Sequence, residues 1–165
     1  MNKQHAQLIA AMTRYDVGDA KRIQHFMKVH DYAATIASLE DVDAETRFVL
    51  ETAAIVHDIG IHLCEQKYGS SNGKLQKQEG PAEASKLLLA TGGYTEAQIE
   101  RVCWRGGHHH SYQNIDGIDY QILVEADFLV NIYEDNLSPE TTRKVKETIF
   151  KTSAGKSLLE AIYLA

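Results

Sequence analysis

Apolar residues in this chain recur at intervals of three and four, and strict alternation of polar and apolar residues is almost absent. That pattern commits the chain to helices rather than strands. In "RIQHFMKVHDYAATIA", Arg22, His25, Val29, Ala33 and Ile36 fall on one helical face. The helix ends are also legible. Asp19 is placed to cap a helix reaching about Glu40, and Asp43 caps the next, which carries "RFVLETAAIVHD" and ends at Gly60. Pro81 suits the first turn of a helix that stops at Gly92 and Gly93, and Thr95 with Gln98 makes a capping box. A further helix spans roughly residues 117–134, Ser138-Pro139 starts another, and "SLLEAIYLA" closes the chain, covering either the core or a partner subunit. Residues 61–79 and 106–116 are expected to be long loops, which in a helical domain are often functional. The expected fold is an all-α, single-domain helical bundle over residues 1–165, with a core of about 19–135 and C-terminal helices at 138–165 packed on it.

A chain of 165 residues can bury a genuine core, and 24% charged against 44% hydrophobic residues is an ordinary soluble composition. The net charge of −6 argues against general nucleic-acid binding, which calls for a basic stripe, but leaves room for a small phosphorylated substrate. No apolar stretch approaches a membrane span, and the opening "MNKQHAQLIAAMTRYD" has no signal-peptide core, so a cytoplasmic protein is expected. Cys64 and Cys103 form neither a CxxC nor a zinc-finger spacing and read as reduced thiols.

Three places carry chemistry. His25 shares the apolar face of its helix, as a core histidine satisfied by one hydrogen bond or as a metal ligand. In "AAIVHDIGIH", His57 and Asp58 end an apolar helix. Adjacent residues diverge by about 100° on a straight helix, but they can converge where the backbone turns away. A carboxylate at a helix C-terminus also opposes the helix dipole unless a cation compensates it. Asp127, within "YQILVEADFLVNIY", would be costly as an isolated buried charge, so it needs a metal ion or an arginine, Arg22 being the structural alternative. Glu125 and Asp135 read as surface charges, His5 as lying on a surface helix, and His30 and His62 as structural or exposed. Two imidazoles and two carboxylates suit Fe, Mn, Zn, Co or Ni.

The order of these elements, from "RIQHFMKVHDYAATIA" through "AAIVHDIG" to "VEADFLVNIYED", resembles the HD superfamily of metal-dependent phosphohydrolases over most of the chain. The resemblance implies that His25, His57, Asp58 and Asp127 bind one divalent ion (Fe, Mn, Zn, Ni, Co or Mg) and that a phosphate ester, commonly a nucleotide, is hydrolysed. Dinuclear members place further histidines between the doublet and the last aspartate. Here Gln76 stands at one such place, near Glu79, and "RGGHHHSY" puts His108 and His109 at the other. One tightly held ion is therefore expected, with His108, His109 and Glu79 lining the site or recruiting a second ion at high concentration. His108 and His109 also read as a solvated loop, and His110 as pointing away.

In the expected mechanism Asp58 holds the ion and orients or deprotonates water, and His108 or His109 protonates the leaving group or binds phosphate. Arg22, Lys74, Lys77 and Arg105, in falling order, are the candidate phosphate contacts, and Tyr68, Trp104 and Tyr112 candidate stacking partners for a base. The small phosphorylated substrate is the expected partner, with no membrane, and a homodimer is left open. A non-catalytic nucleotide-binding sensor and, further off, a di-iron oxygenase are the rival functions.

Overall fold

Short polar side chains start the helices where the sequence places them. Asp19 accepts the amide of Arg22 to begin α2 (Ala20–Leu39), and Asp43 accepts that of Thr46 to begin α3 (Ala44–Val56). The Thr95–Gln98 capping box closes in both directions, at 2.9 and 3.1 Å, ahead of α6 (Glu96–His108). Asp116 precedes α7 (Gly117–Glu134), and Ser138 caps α8 (Pro139–Thr148). The computed structural model describes residues 1–108, 112 and 114–165, and of residues 105–108 the backbone alone. Over them the chain is an all-α bundle, with no strand among the described residues.

The axis of the bundle is α7, whose buried residues run almost unbroken from Asp119 to Val130. It packs against α2 and α3, which also pack against each other. A helix polar on so few sides is stable only when surrounded. The buried face of α2 carries His25, Phe26, Val29, His30, Ala33, Ile36 and Ala37, so its histidines enter the core with its aliphatic residues. The N-terminal helix α1 (Lys3–Tyr15) lies on α3 and buries His5, Leu8 and Met12; His5 is thus 1% exposed, contrary to the surface position expected of it.

Residues 61–79 are not a long loop. Ile61 and Cys64, one turn apart, are buried and drive α4 (Ile61–Tyr68), which Gly69 ends in the left-handed conformation at φ 67°. Asn72 then caps α5 (Gly73–Thr91), and Pro81 lies well inside it rather than in its first turn. Proline removes one backbone hydrogen bond. The helix continues because Gln76, Gly80, Ala84 and Leu88 form a buried stripe spanning both sides of Pro81. Residues 106–108 of the second expected loop extend the backbone of α6.

At the far end Glu125, expected as a surface charge, is fully buried. Its carboxylate accepts the Thr152 hydroxyl (2.6 Å), the Gln121 side-chain amide (2.7 Å) and the backbone amides of Lys151 and Thr152 (3.0 and 3.1 Å). A buried carboxylate so surrounded fixes the start of α9 (Ser153–Leu159) against α7. The chain ends in a π turn at Glu160–Leu164, where the Tyr163 hydroxyl donates to the Leu129 carbonyl and Leu159 is buried, so the closing segment covers its own core.

Candidate metal centre

Three helices bring His25, His57, Asp58 and Asp127 to one place. α2 supplies His25 from its buried face and α7 supplies Asp127, 4% exposed. His57 is the C-cap of α3, and the chain turns through residues 57–60 before α4 begins. That turn lets adjacent residues serve one centre. It is held tightly against α5: a Cβ on Gly60 would stand 3.0 Å from the Cα of Gly80 and 3.1 Å from its nitrogen, so backbone meets backbone.

The distances between donor atoms are those of a shared centre. His25 Nε2 lies 3.2 Å from His57 Nε2, 3.2 Å from Asp58 Oδ2 and 3.2 Å from Asp127 Oδ1. His57 Nε2 lies 3.4 Å from each of the same two carboxylate oxygens. Atoms ~2.0–2.2 Å from one ion in tetrahedral or octahedral order are separated by roughly 3.0–3.5 Å. The tightest set is His25, His57 and Asp58, whose ligand atoms all lie within 4.8 Å of one another and could hold a metal ion; Asp127 joins through the two imidazoles. Despite those short separations, Asp127 Oδ1 is buried and makes no hydrogen bond among the described residues. Its neighbours approach it without aiming a hydrogen at it.

The reverse sides of the rings fix which nitrogens face the centre. His57 Nδ1 is 2.7 Å from the Ala54 carbonyl, which can only accept, so Nδ1 carries the hydrogen and Nε2 presents a lone pair. His25 Nδ1 is 3.1 Å from both carboxylate oxygens of Glu134, itself paired with Lys28 at 3.3 Å, so His25 likewise donates from Nδ1. Two nitrogen lone pairs and two carboxylates facing one another need a cation. Without a metal a proton can take that place: burial opposes charging His25, but Asp127 and Asp58 overcome it and push His25 up to about 10. For Asp127 burial also acts against charge, and the imidazoles of His25 and His57 outweigh it, holding the carboxyl well below the usual carboxylate range. These are the features by which metal-binding histidines are oriented, Glu134 and Ala54 taking the outer positions.

The other expected residues divide. Arg22 does not pair with Asp127; its guanidinium donates to Asp58 Oδ2 at 3.4 Å, bringing a cation to the edge of the centre. It also lines a cavity of about 250 Å³ with Asp19, Lys21, Ile61, Glu65 and Ser71. Lys74 and Lys77 are exposed on α5 and are not among the residues lining that cavity. Glu79 accepts the Tyr68 hydroxyl at 2.6 Å and Lys67 at 3.2 Å, and Tyr68 is 44% exposed. Trp104, half-buried, packs edge-on against Tyr120 and under Arg101. Tyr112 lies against Phe128, with its phenol pushed up to about 12 by partial burial and then by the charge of Asp127. The side chains of Arg105 and His108, and all of His109 and His110, lie outside the described residues.

Sequence reasoning missed Glu134, although it follows Asp127 by seven residues, two turns along the same face of α7. It also missed a second group, His5, His30 and Glu51, whose ligand atoms likewise lie within 4.8 Å of one another. No family model, no curated protein and no solved structure matches this chain.

Proposed function

We propose that the chain is a metal-dependent phosphohydrolase of the HD-superfamily kind, cleaving a phosphate ester of a small metabolite such as a nucleotide. One observation carries the reading: the lone pairs of His25 and His57 and the carboxylates of Asp58 and Asp127 face a single centre, with the Arg22 guanidinium at its edge. The donor set fits a divalent ion because Asp127 Oδ1 is buried and, among the described residues, without a hydrogen bond. When bound, such an ion supplies Lewis acidity towards phosphoryl oxygens and water.

The side chains do the rest. His25 and His57 keep their hydrogens on the outer nitrogens, through Glu134 and Ala54, and so keep the inner ones bare. Asp58, half-turned out of α3, has one oxygen within 3.4 Å of Arg22 and is placed to accept a proton from attacking water. Arg22 and Lys21 draw the phosphoryl end of the substrate into the neighbouring cavity. At about 250 Å³ that cavity is smaller than the ~300–1,000 Å³ of an ordinary small-molecule site, so it takes the phosphoryl group and leaves the remainder of the substrate at its mouth.

Phosphate release measured over a panel of nucleotides and sugar phosphates, with each divalent ion in turn, tests the reading. Metal-dependent turnover is expected, abolished by Asp58→Ala at unchanged helix content. Full turnover by that variant refutes the role given to Asp58. Thermal stabilisation by a nucleotide with no product makes the protein a sensor, and substrate-dependent oxygen uptake makes it an oxygenase.

A further inference from the structure

At the junction of α1, α2 and α3, away from Asp58 and Asp127, lies a second group of ligand-type side chains that the reading above does not use. His5 is 1% exposed and His30 3%, while Glu51 reaches them from α3 with 14% of its side chain exposed. His30 Nε2 is 3.0 Å from Glu51 Oε1, and His5 Nδ1 is 3.8 Å from the same oxygen. The His5 ring is clamped: it stacks on Phe48 at 4.7 Å between centroids, and its Nε2 lies 3.0 Å from the Thr52 hydroxyl. That hydroxyl spends its hydrogen on the Phe48 carbonyl at 2.8 Å, so it can only accept from His5. Nε2 therefore carries the ring hydrogen, and Nδ1 turns a bare lone pair towards an ionised carboxylate. An acceptor faces an acceptor.

His30 shows the complementary defect. With its hydrogen on Nε2, towards Glu51, its buried Nδ1 has no hydrogen bond among the described residues; the exposed Asp31 carboxylate is 3.5 Å away. Moving that hydrogen from Nε2 to Nδ1 gives Nδ1 a proton facing Asp31 and leaves Nε2 as a second lone pair beside Glu51. No net proton is gained or lost.

We propose that His5 Nδ1, His30 Nε2 and the Glu51 carboxylate form a second divalent-metal site, of the zinc, cobalt or nickel class, that ties α1 to α2 and α3. Two imidazoles and a carboxylate are a zinc ligand set, with a fourth position for water. Their separations of 3.0 and 3.8 Å bracket the roughly 3.0–3.5 Å expected around a shared ion. Thr52 holds His5 as Glu134 holds His25, from the outer nitrogen.

The test uses the full chain, stripped with a chelator, dialysed against zinc and analysed for metal. Glu51→Gln is expected to bind one equivalent less than wild type, and His57→Ala to retain the equivalent that Glu51→Gln loses. Equal zinc in wild type and Glu51→Gln overturns the proposal. Loss of that equivalent in Glu51→Gln with none lost in His57→Ala leaves this site standing and removes the centre at His25. Wild-type protein labelled with ¹⁵N-histidine needs no substitution: added zinc is expected to move the resonances of His5 Nδ1 and His30 Nε2 out of the range of free imidazole nitrogens. Resonances that stay in place while zinc binds elsewhere also overturn it.

Discussion

Glu134 tests the reasoning at a residue that touches neither the ion nor any substrate. Its two carboxylate oxygens both lie 3.1 Å from His25 Nδ1, its side chain is 12% exposed, and Lys28 steadies it at 3.3 Å. Glu134→Gln keeps the shape but replaces an ionised acceptor with an amide. A hydrogen bond to a charged partner contributes about 1.5–3 kcal/mol, against roughly 0.5–1.5 for a neutral one. The difference, about 1–1.5 kcal/mol, corresponds to a roughly 5- to 13-fold loss of metal affinity, at the lower end of the ~10- to 100-fold range for outer partners of ligating histidines. Competition against a chromogenic chelator should therefore give a metal Kd raised about 10-fold. Turnover at limiting metal should fall with it and recover when metal is added in excess. A merely structural carboxylate would lower thermal stability without that rescue. A Kd within twofold of wild type would refute the orientation assigned to His25, and with it the argument that its Nε2 is bare.

Further outcomes follow from the same geometry. Gly60→Ala places a Cβ 3.0 Å from the Cα of Gly80, and because neither backbone can yield cheaply, denaturant unfolding should show a loss of about 1–3 kcal/mol; a loss below ~0.5 would mean the turn and α5 are not in hard contact. Asp127→Asn should lose more metal affinity than Glu134→Gln, and equal metal content in purified variant and wild type would remove Asp127 from the centre. In chelator-treated protein, His25 is raised above its unfolded value of 6.5, so the folded state holds the extra proton. Its contribution is complete below pH 6.5 and is lost as pH rises through about 10, on the order of 3–5 kcal/mol across that window. Saturating divalent ion should flatten this dependence because the ion replaces the proton, and a flat stability curve in chelator between pH 7 and 10 would contradict the pairing of His25 with Asp58 and Asp127.

The parts of this molecule that were legible in sequence are those governed by local rules. Asp19, Asp43, Thr95 with Gln98, and Ser138 cap the helices they were expected to cap, since a short side chain reaching its own amides needs no tertiary context. The order His25, His57-Asp58, Asp127 was legible because each interrupts an apolar face. Where burial competes with local signals, the local signals mislead. Pro81 looked like a helix start, but the buried stripe from Gln76 to Leu88 carries α5 past it. Glu125 looked like a surface acid, but its partners lie near residue 150, a separation that periodicity cannot register. His5, near the end of the chain, is buried only because α1 folds onto α3.

Charge at the centre bears on the order of events in the proposed reaction. Asp58, Asp127 and Glu134 place three carboxylates around the two imidazoles, against the two cationic side chains of Arg22 and Lys28. Among the described residues these charges balance only while His25 holds its extra proton, and the chain as a whole carries a net charge of −6. A phosphate ester approaching Arg22 would meet no net positive charge there, and the Arg22 guanidinium is already paired with Asp58. Two unit charges ~4 Å apart interact by about 4 kcal/mol at the effective dielectric of a protein surface, so one uncompensated carboxylate is enough to offset an arginine contact. A divalent ion held by His25, His57, Asp58 and Asp127 in place of that proton would make the surroundings net positive and would weaken the hold of Asp58 on Arg22, leaving the guanidinium for the phosphoryl group. Under the proposed function, metal before substrate is thus the expected order, and substrate affinity should depend on metal occupancy even where no bond is broken.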